Sequence, residues 1–272
     1  MNGKEFRLRR FLGKAGKLVV AAMDHGAFLG PIPGLTDPRQ ACMQLKDADA
    51  VLMASGIISH VADIFAAPDG PWLITRLAWN STYCFQWEYH QSRHRPLLSV
   101  AQALACGADI VLASLALNTG SEEVDAENAS LFSRCVQQAA ELGIPIIGEY
   151  YPAGTERMTP EQLHESIRIG CRVAAELGAD AIKTFYTGPR FNEVVAGTPV
   201  PILVLGAEKT RTERDALVLA AKAAEGGARG IVFGRNILQS RNPAGFIQAV
   251  RAVMDGSSTI DAAVKSYVLE PS

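Results

Sequence analysis

The chain reads as an α/β protein, a single-domain (β/α)8 TIM barrel over residues 1–272. Three observations predict this. Eight apolar runs of strand length alternate with helical stretches, the pattern of an all-parallel sheet with right-handed crossovers. Eight such units in 272 residues suit a closed barrel better than an open doubly wound sheet. The first run ends in Asp24-His25-Gly26, not in G-x-G-x-x-G, which counts against a dinucleotide-binding sheet.

A short basic helix, about 4–13, precedes the barrel. The first strand, 17–23, is almost continuously apolar, as a strand covered on both faces should be. A Gly/Pro-rich loop follows, and Asp37-Pro38 opens a helix. The second strand is 49–54, with a helix near 57–66, and the third is 72–77. Residues 78–95 are polar and aromatic without clear periodicity, long for a βα loop and therefore of functional interest. A helix near 97–106 ends at Gly107; the fourth strand is 109–114, with a helix over about 121–142. The fifth strand, 144–150, precedes a helix capped by Thr159 with Pro160 at its first position. The sixth strand is 181–186, ended by Gly188-Pro189. The seventh is 201–205, followed by a helix over about 212–226, and the eighth is 230–233. Helices at about 242–254 and 258–267 close the chain.

With 26 basic and 28 acidic side chains, the net charge of −2 carries no signal for nucleic acid or an anionic membrane. No apolar run has the length of a membrane span. The basic N-terminus lacks the apolar segment and cleavage site of a secretory signal, so the chain reads as cytoplasmic. Five widely spaced cysteines, without C-x-x-C, suit reduced thiols and indicate neither a disulfide framework nor a zinc site.

The strand 181–186 carries Lys183 at its centre. A buried ammonium loses its water, and burial moves a lysine toward its neutral, nucleophilic form, which adds to carbonyls as a Schiff base. The alternative is a lysine that snorkels from the strand end to solvent. Catalytic side chains of barrels come from the C-terminal strand ends, and alternate strand residues point inward. By that parity Ala181 shares a face with Lys183, Ile147 with Glu149 and Tyr151, and Val20 and Ala22 with Asp24. Lys183, Tyr151 and Asp24 then converge in one mouth. An amine nucleophile, a phenol that moves protons and an orienting carboxylate are what Schiff-base chemistry needs. Arg76 ends the third strand. After strands seven and eight, Gly206 and Gly234 allow close approach of an anion, and Lys209 and Arg235 add charge, the usual place for a phosphate in a barrel. Each glycine alone would be a plain turn.

Four pieces carry a family resemblance: Met23-Asp24-His25-Gly26 with Gly30-Pro31; Tyr151-Pro152-x-Gly154; Gly178 to Thr184 with Tyr186-Thr187-Gly188; and Gly234-Arg235-Asn236. From about residue 7 to 267 the chain resembles the archaeal-type class I fructose-bisphosphate aldolase superfamily. That group includes 2-amino-3,7-dideoxy-D-threo-hept-6-ulosonate synthases and autoinducer-2 phosphate aldolase/thiolase-like proteins. The resemblance implies a (β/α)8 barrel, a metal-independent class I aldolase without a cofactor, a phosphorylated ketose or similar substrate, and a homo-oligomer. It implies Lys183 as the Schiff-base lysine, Tyr151 as general acid/base and Asp24 as a catalytic residue that contacts the substrate and the lysine region. It places phosphate at Gly234 and Arg235, helped by Gly206 and Lys209. An aldolase-like transferase, thiolase or transaldolase-type synthase using the same lysine is the alternative, and a non-catalytic sugar-phosphate-binding barrel a further one.

Three positions depart from the pattern. Gly206-Ala207-Glu208-Lys209 stands where many relatives have Gly-Gly-Pro-Lys, Pro152-Ala153-Gly154 where they have Pro-Arg-Gly, and Glu149 where they have an aromatic residue. Glu149 therefore brings an acidic group toward the pocket. His25 reads as a structural hydrogen-bonder or a substrate/phosphate contact, with a catalytic acid/base as the alternative. His60, His90, His94 and His164 lack metal-ligand spacing. Trp79, Tyr83, Phe85 and Trp87 suit a lid, a subunit contact or plain packing, and the subunit contact is the preferred reading.

Overall fold

The computed structural model describes residues 3–89 and 91–269. Eight parallel strands close into a barrel: β1 (Leu18–Ala22), β2 (Ala50–Ala54), β3 (Trp72–Arg76), β6 (Ile110–Leu115), β7 (Ile146–Tyr150), β8 (Ala181–Thr184), β9 (Ile202–Leu205) and β10 (Gly230–Phe233), with β1 paired to β10. The sixth barrel strand is shorter than the sequence suggests, because Phe185 and Tyr186 leave the ladder before Gly188.

Between β3 and β6 the aperiodic segment folds into an antiparallel ribbon, β4 (Ala78–Asn80) and β5 (His94–Pro96). Two 3-10 turns, Ser81–Tyr83 and Phe85–Trp87, lie between them. A three-residue strand offers too few positions for alternation to be read. Asn80 caps the first turn by accepting from the Thr82 amide at 2.8 Å.

Side-chain parity sorts the barrel into two layers. Val20, Ala22, Leu52, Ile74, Leu112, Ile147, Ala181, Leu203 and Val232 fill the interior, while Val19, Ala21, Ile146 and Ile182 pack outward beneath the helices. The N-terminal helix, Gly3–Leu12, drops Phe11 into the lower end of the barrel, with its ring 5.5 Å from Trp72. Three aspartates that stand just ahead of strands tie those ends together. Asp49 accepts from the Val19 amide at 2.8 Å, Asp109 from Leu73 at 2.9 Å and Asp180 from Ile146 at 2.9 Å. Each satisfies an amide at a sheet end that has no further ladder partner.

The helices start where the cap chemistry says. Asp37 accepts from the Arg39 and Gln40 amides, and Thr159 and Gln162 form a capping box ahead of Pro160–Glu176. The regular frame delivers the ends of β1, β3, β6, β7 and β8 to one mouth. No helix among the described residues is long and apolar enough to cross a membrane.

Candidate active site

Lys183 emerges inward from β8 and is buried. Its Nζ lies 2.5 Å from Glu149 Oε1, the neighbour across the β7–β8 register. The other Glu149 oxygen accepts from Arg76 Nη2 at 2.8 Å and from the Ser114 hydroxyl at 2.8 Å. Arg76 also donates through Nη1 to the Ser114 hydroxyl at 2.8 Å and through Nε to Asp24 Oδ2 at 2.5 Å. Two cations and two carboxylates are thus buried as one connected group. Such a group is tolerated in a low-dielectric interior only when every member is paired.

The environment sets the protonation of its members. Burial pushes the Glu149 carboxyl up, but Arg76 and Lys183 beside it, with bonds from Lys183 and Ser114, hold it well below the usual carboxylate range. Burial acts likewise on Asp24 and is outweighed by Arg76 and Lys183, so its carboxyl is lowered. Burial alone would lower Arg76, yet Asp24 and Glu149 raise it. His25, with Nδ1 3.9 Å from Asp24 Oδ1, is held down to about 4, chiefly by burial, and stays neutral. Burial pushes the Tyr151 phenol up to about 12, so it remains protonated.

The cavity above this group encloses about 590 Å³ of empty space open to solvent. Asp24, His25, Glu149, Tyr151, Lys183, Gly206, Gly234 and Arg235 all line it, so eight of the nine residues singled out in the sequence come together. Lys209 does not line it; its Nζ lies 3.3 Å from the Gln239 carbonyl. Glu208, exposed on the same loop, also lies outside the cavity wall. Packing alone requires both glycines. A Cβ at Gly234 would fall 2.1 Å from His25 Cε1, and one at Gly206 would fall 2.8 Å from Phe233 Cδ1.

Arg76 was visible at its strand end but carried no role in the sequence reading, although it joins both carboxylates. Ser114 was missed. The same parity that found Glu149 would have found it, since Ile110, Leu112 and Ser114 share one face of β6. Tyr83 is a correction: it is buried in this chain's own mouth. Its ring packs edge-on to Phe28 and to Tyr151, each 5.0 Å away, and lies 5.3 Å from the Arg76 guanidinium. Phe85, though exposed, also lines the cavity, while Trp87 lies outside it. His94 is buried beneath the site, and its Nδ1 donates to the Ser114 carbonyl at 3.0 Å. His90 lies outside the described residues. No group of three or more His, Cys, Asp or Glu side chains among the described residues is arranged to hold a metal ion.

A parallel barrel with a buried lysine in its mouth, flanked by a carboxylate and a phenol, defines a class of lysine-dependent carbonyl enzymes. The comparisons with known proteins agree. The chain belongs to the DeoC/LacD family aldolases, whose model matches residues 18–240. An uncharacterized aldolase of Saccharolobus solfataricus is 31% identical over 275 residues, covering 97% of this chain and 99% of that one. The 3-hydroxy-5-phosphonooxypentane-2,4-dione thiolase of Escherichia coli K12 is 32% identical over 271 residues, covering 98% and 88%. An archaeal fructose 1,6-bisphosphate aldolase superposes with a TM-score of 0.79 at 29% identity, covering 94% of this chain and 100% of that one. A structure of an archaeal fructose-1,6-bisphosphate aldolase, with the catalytic lysine covalently bound to the carbinolamine intermediate, gives 0.79 at 28% identity and the same coverage. The chain is an enzyme of the class I aldolase type.

Proposed function

We propose that Lys183 forms an imine with the ketone of a phosphorylated ketose or related carbonyl compound, and that the enzyme makes or breaks the adjacent C–C bond without a cofactor. The observation that carries this is the buried Lys183–Glu149 pair at the floor of an open cavity. Bound substrate seals the pair from water, which favours its neutral form, so Glu149 takes the ammonium proton and the freed amine bonds to the carbonyl carbon. Tyr151, protonated at rest, gives a proton to the carbonyl oxygen and regains one from the new nitrogen. Glu149 then returns its proton to that oxygen, which leaves as water, and the iminium forms. The iminium accepts the electrons of the C–C bond beta to it. The departing hydroxyl's proton passes through the Tyr151 phenol to the Glu149 carboxylate. Reprotonation and hydrolysis of the enamine free Lys183. Asp24 and Arg76 hold Glu149 and orient the substrate.

Arg235 supports phosphate binding at the rim. Its Nη2 donates to the Ala207 carbonyl at 2.9 Å, and its Nε is buried without a partner. A second reading is transfer to an acceptor, as in a thiolase or synthase. It is favoured by the groove that leads outward from the cavity past Tyr151, Phe85, Ala207 and Arg235. We place the enzyme in cytoplasmic carbohydrate metabolism as one catalytic barrel per chain in a homo-oligomer, with exposed Trp87, which lines neither the cavity nor the groove, on the apolar surface for subunit contact.

The test is borohydride reduction with dihydroxyacetone phosphate, followed by intact and peptide mass. One adduct on Lys183 is expected, absent in Lys183→Ala while that variant stays folded. An adduct elsewhere, or full activity in Lys183→Ala, would sink the mechanism.

A further inference from the structure

The distribution of charge around the cavity bears on how many phosphates the substrate carries, and this inference rests on the Schiff-base reading. At the floor, Arg76 and Lys183 are committed to Asp24 and Glu149, so the formal charges of these four groups sum to zero. His25 adds none, being neutral. Among the described residues lining the cavity, that leaves Arg235 as the one cationic side chain without a carboxylate partner, and its Nε has no partner at all.

The groove that continues outward has the opposite character. Glu88, Glu156 and Glu208 line it against Arg157 and Arg235. Arg157 lies 3.6 Å from Glu156, and Lys209, turned to the Gln239 carbonyl, lines neither space. With Arg235 occupied by one phosphate, the groove presents three carboxylates and one arginine. A second dianionic phosphate carried there would meet net negative charge.

We propose that the substrate is a monophosphate: one phosphate held at the rim by Arg235, a carbonyl at Lys183, and an uncharged hydroxylated end directed into the acidic groove. Carboxylates suit that end, because they accept hydrogen bonds from hydroxyl groups.

The test compares fructose 1-phosphate and fructose 6-phosphate with fructose 1,6-bisphosphate on the full chain, by kcat/KM and by borohydride adduct. These compounds share one carbon skeleton and differ in the number and position of their phosphates. The better monophosphate is expected to exceed the bisphosphate by about tenfold or more in kcat/KM, the size of a like-charge penalty in a solvent-exposed groove. Glu208→Lys is expected to move that ratio toward the bisphosphate, and raised salt to shrink it. A bisphosphate used as well as or better than both monophosphates, with its adduct on Lys183, overturns the monophosphate assignment and leaves the Schiff-base reading standing. A preference that Glu208→Lys and salt both leave unchanged overturns the groove as its cause. No Lys183 adduct with any of the three overturns the Schiff-base reading, and this inference with it.

Discussion

The two ends of the barrel use the same side-chain types to opposite ends. At the bottom, Asp49 and Asp180 accept from strand amides and face cations at the surface: Lys14 and Arg251 for Asp49, Lys4 for Asp180. Water reaches those cations, so each pair adds modest stability and stays chemically quiet. At the mouth, Asp24 and Glu149 face Arg76 and Lys183 with all four buried. There the charges depend on one another, and a proton that moves on one is felt by the rest. Whether a carboxylate–cation pair stabilises or reacts depends on its access to water and on its partners.

The sharpest way to break the contrast is to remove the cation that joins the mouth. Arg76→Met leaves Asp24 and Glu149 buried without their shared partner, a loss of about 3–5 kcal/mol in stability. Urea denaturation should register it, and kcat should fall by about 100-fold or more as Glu149 loses its position. A stable, fully active Arg76→Met enzyme would remove the network from the mechanism. At the other end, Phe11→Ala opens a void in the plug and should cost about 3–5 kcal/mol. Its kcat/KM, measured well below the melting temperature, should stay near that of the parent. A comparable loss of activity would mean that the two ends are coupled.

The smallest effect concerns pH. Burial holds His25 and His94 to about 4, below the ordinary histidine value. Asp24, Lys183, Arg76 and Arg235 act on His25, and Glu149, Arg76 and Arg95 act on His94. Between an ordinary pKa of about 6.5 and the folded value, the unfolded chain binds more protons. Stability is therefore whole above about pH 6.5 and falls as pH drops toward 4, on the order of 3 kcal/mol per histidine. His94→Gln should flatten that part of the urea-midpoint profile. The lowered Asp24 and Glu149 act in a lower window: their stabilisation is present above about pH 4 and is lost only below it. An equally steep fall between pH 6.5 and 5 in His94→Gln would assign the dependence elsewhere.

Much of the barrel was legible because its signal is local. Eight apolar runs, a proline at a helix start and strand parity can each be read within a few residues, and parity alone brought Lys183, Glu149, Tyr151 and Asp24 to one face. The partnership of Arg76 was not legible. Its partners stand 52, 38 and 73 residues away along the chain, at Asp24, Ser114 and Glu149, and no periodicity links them. Tyr83 was misplaced for another reason. The ribbon of β4 and β5 is too short to alternate, and its 3-10 turns redirect the side chains that follow. Ser114 was legible and passed over. Lys209 sits on an exposed loop just after Ala207, whose φ of 48° turns the backbone into the left-handed region; sequence gives a loop cation's position but not its direction.

Lys183, Glu149, Ser114 and Arg76 come from four adjacent strands, β8, β7, β6 and β3, and Asp24 from the turn after β1, so one arc of the barrel from β8 to β1 by way of β2 holds them. A chain in which that arc is not yet formed, during refolding, lacks the assembled group around Lys183. Reactivity toward a carbonyl is then a late property of the chain. The rate at which a borohydride-stable adduct appears after dilution from urea becomes a clock for the assembly of that arc.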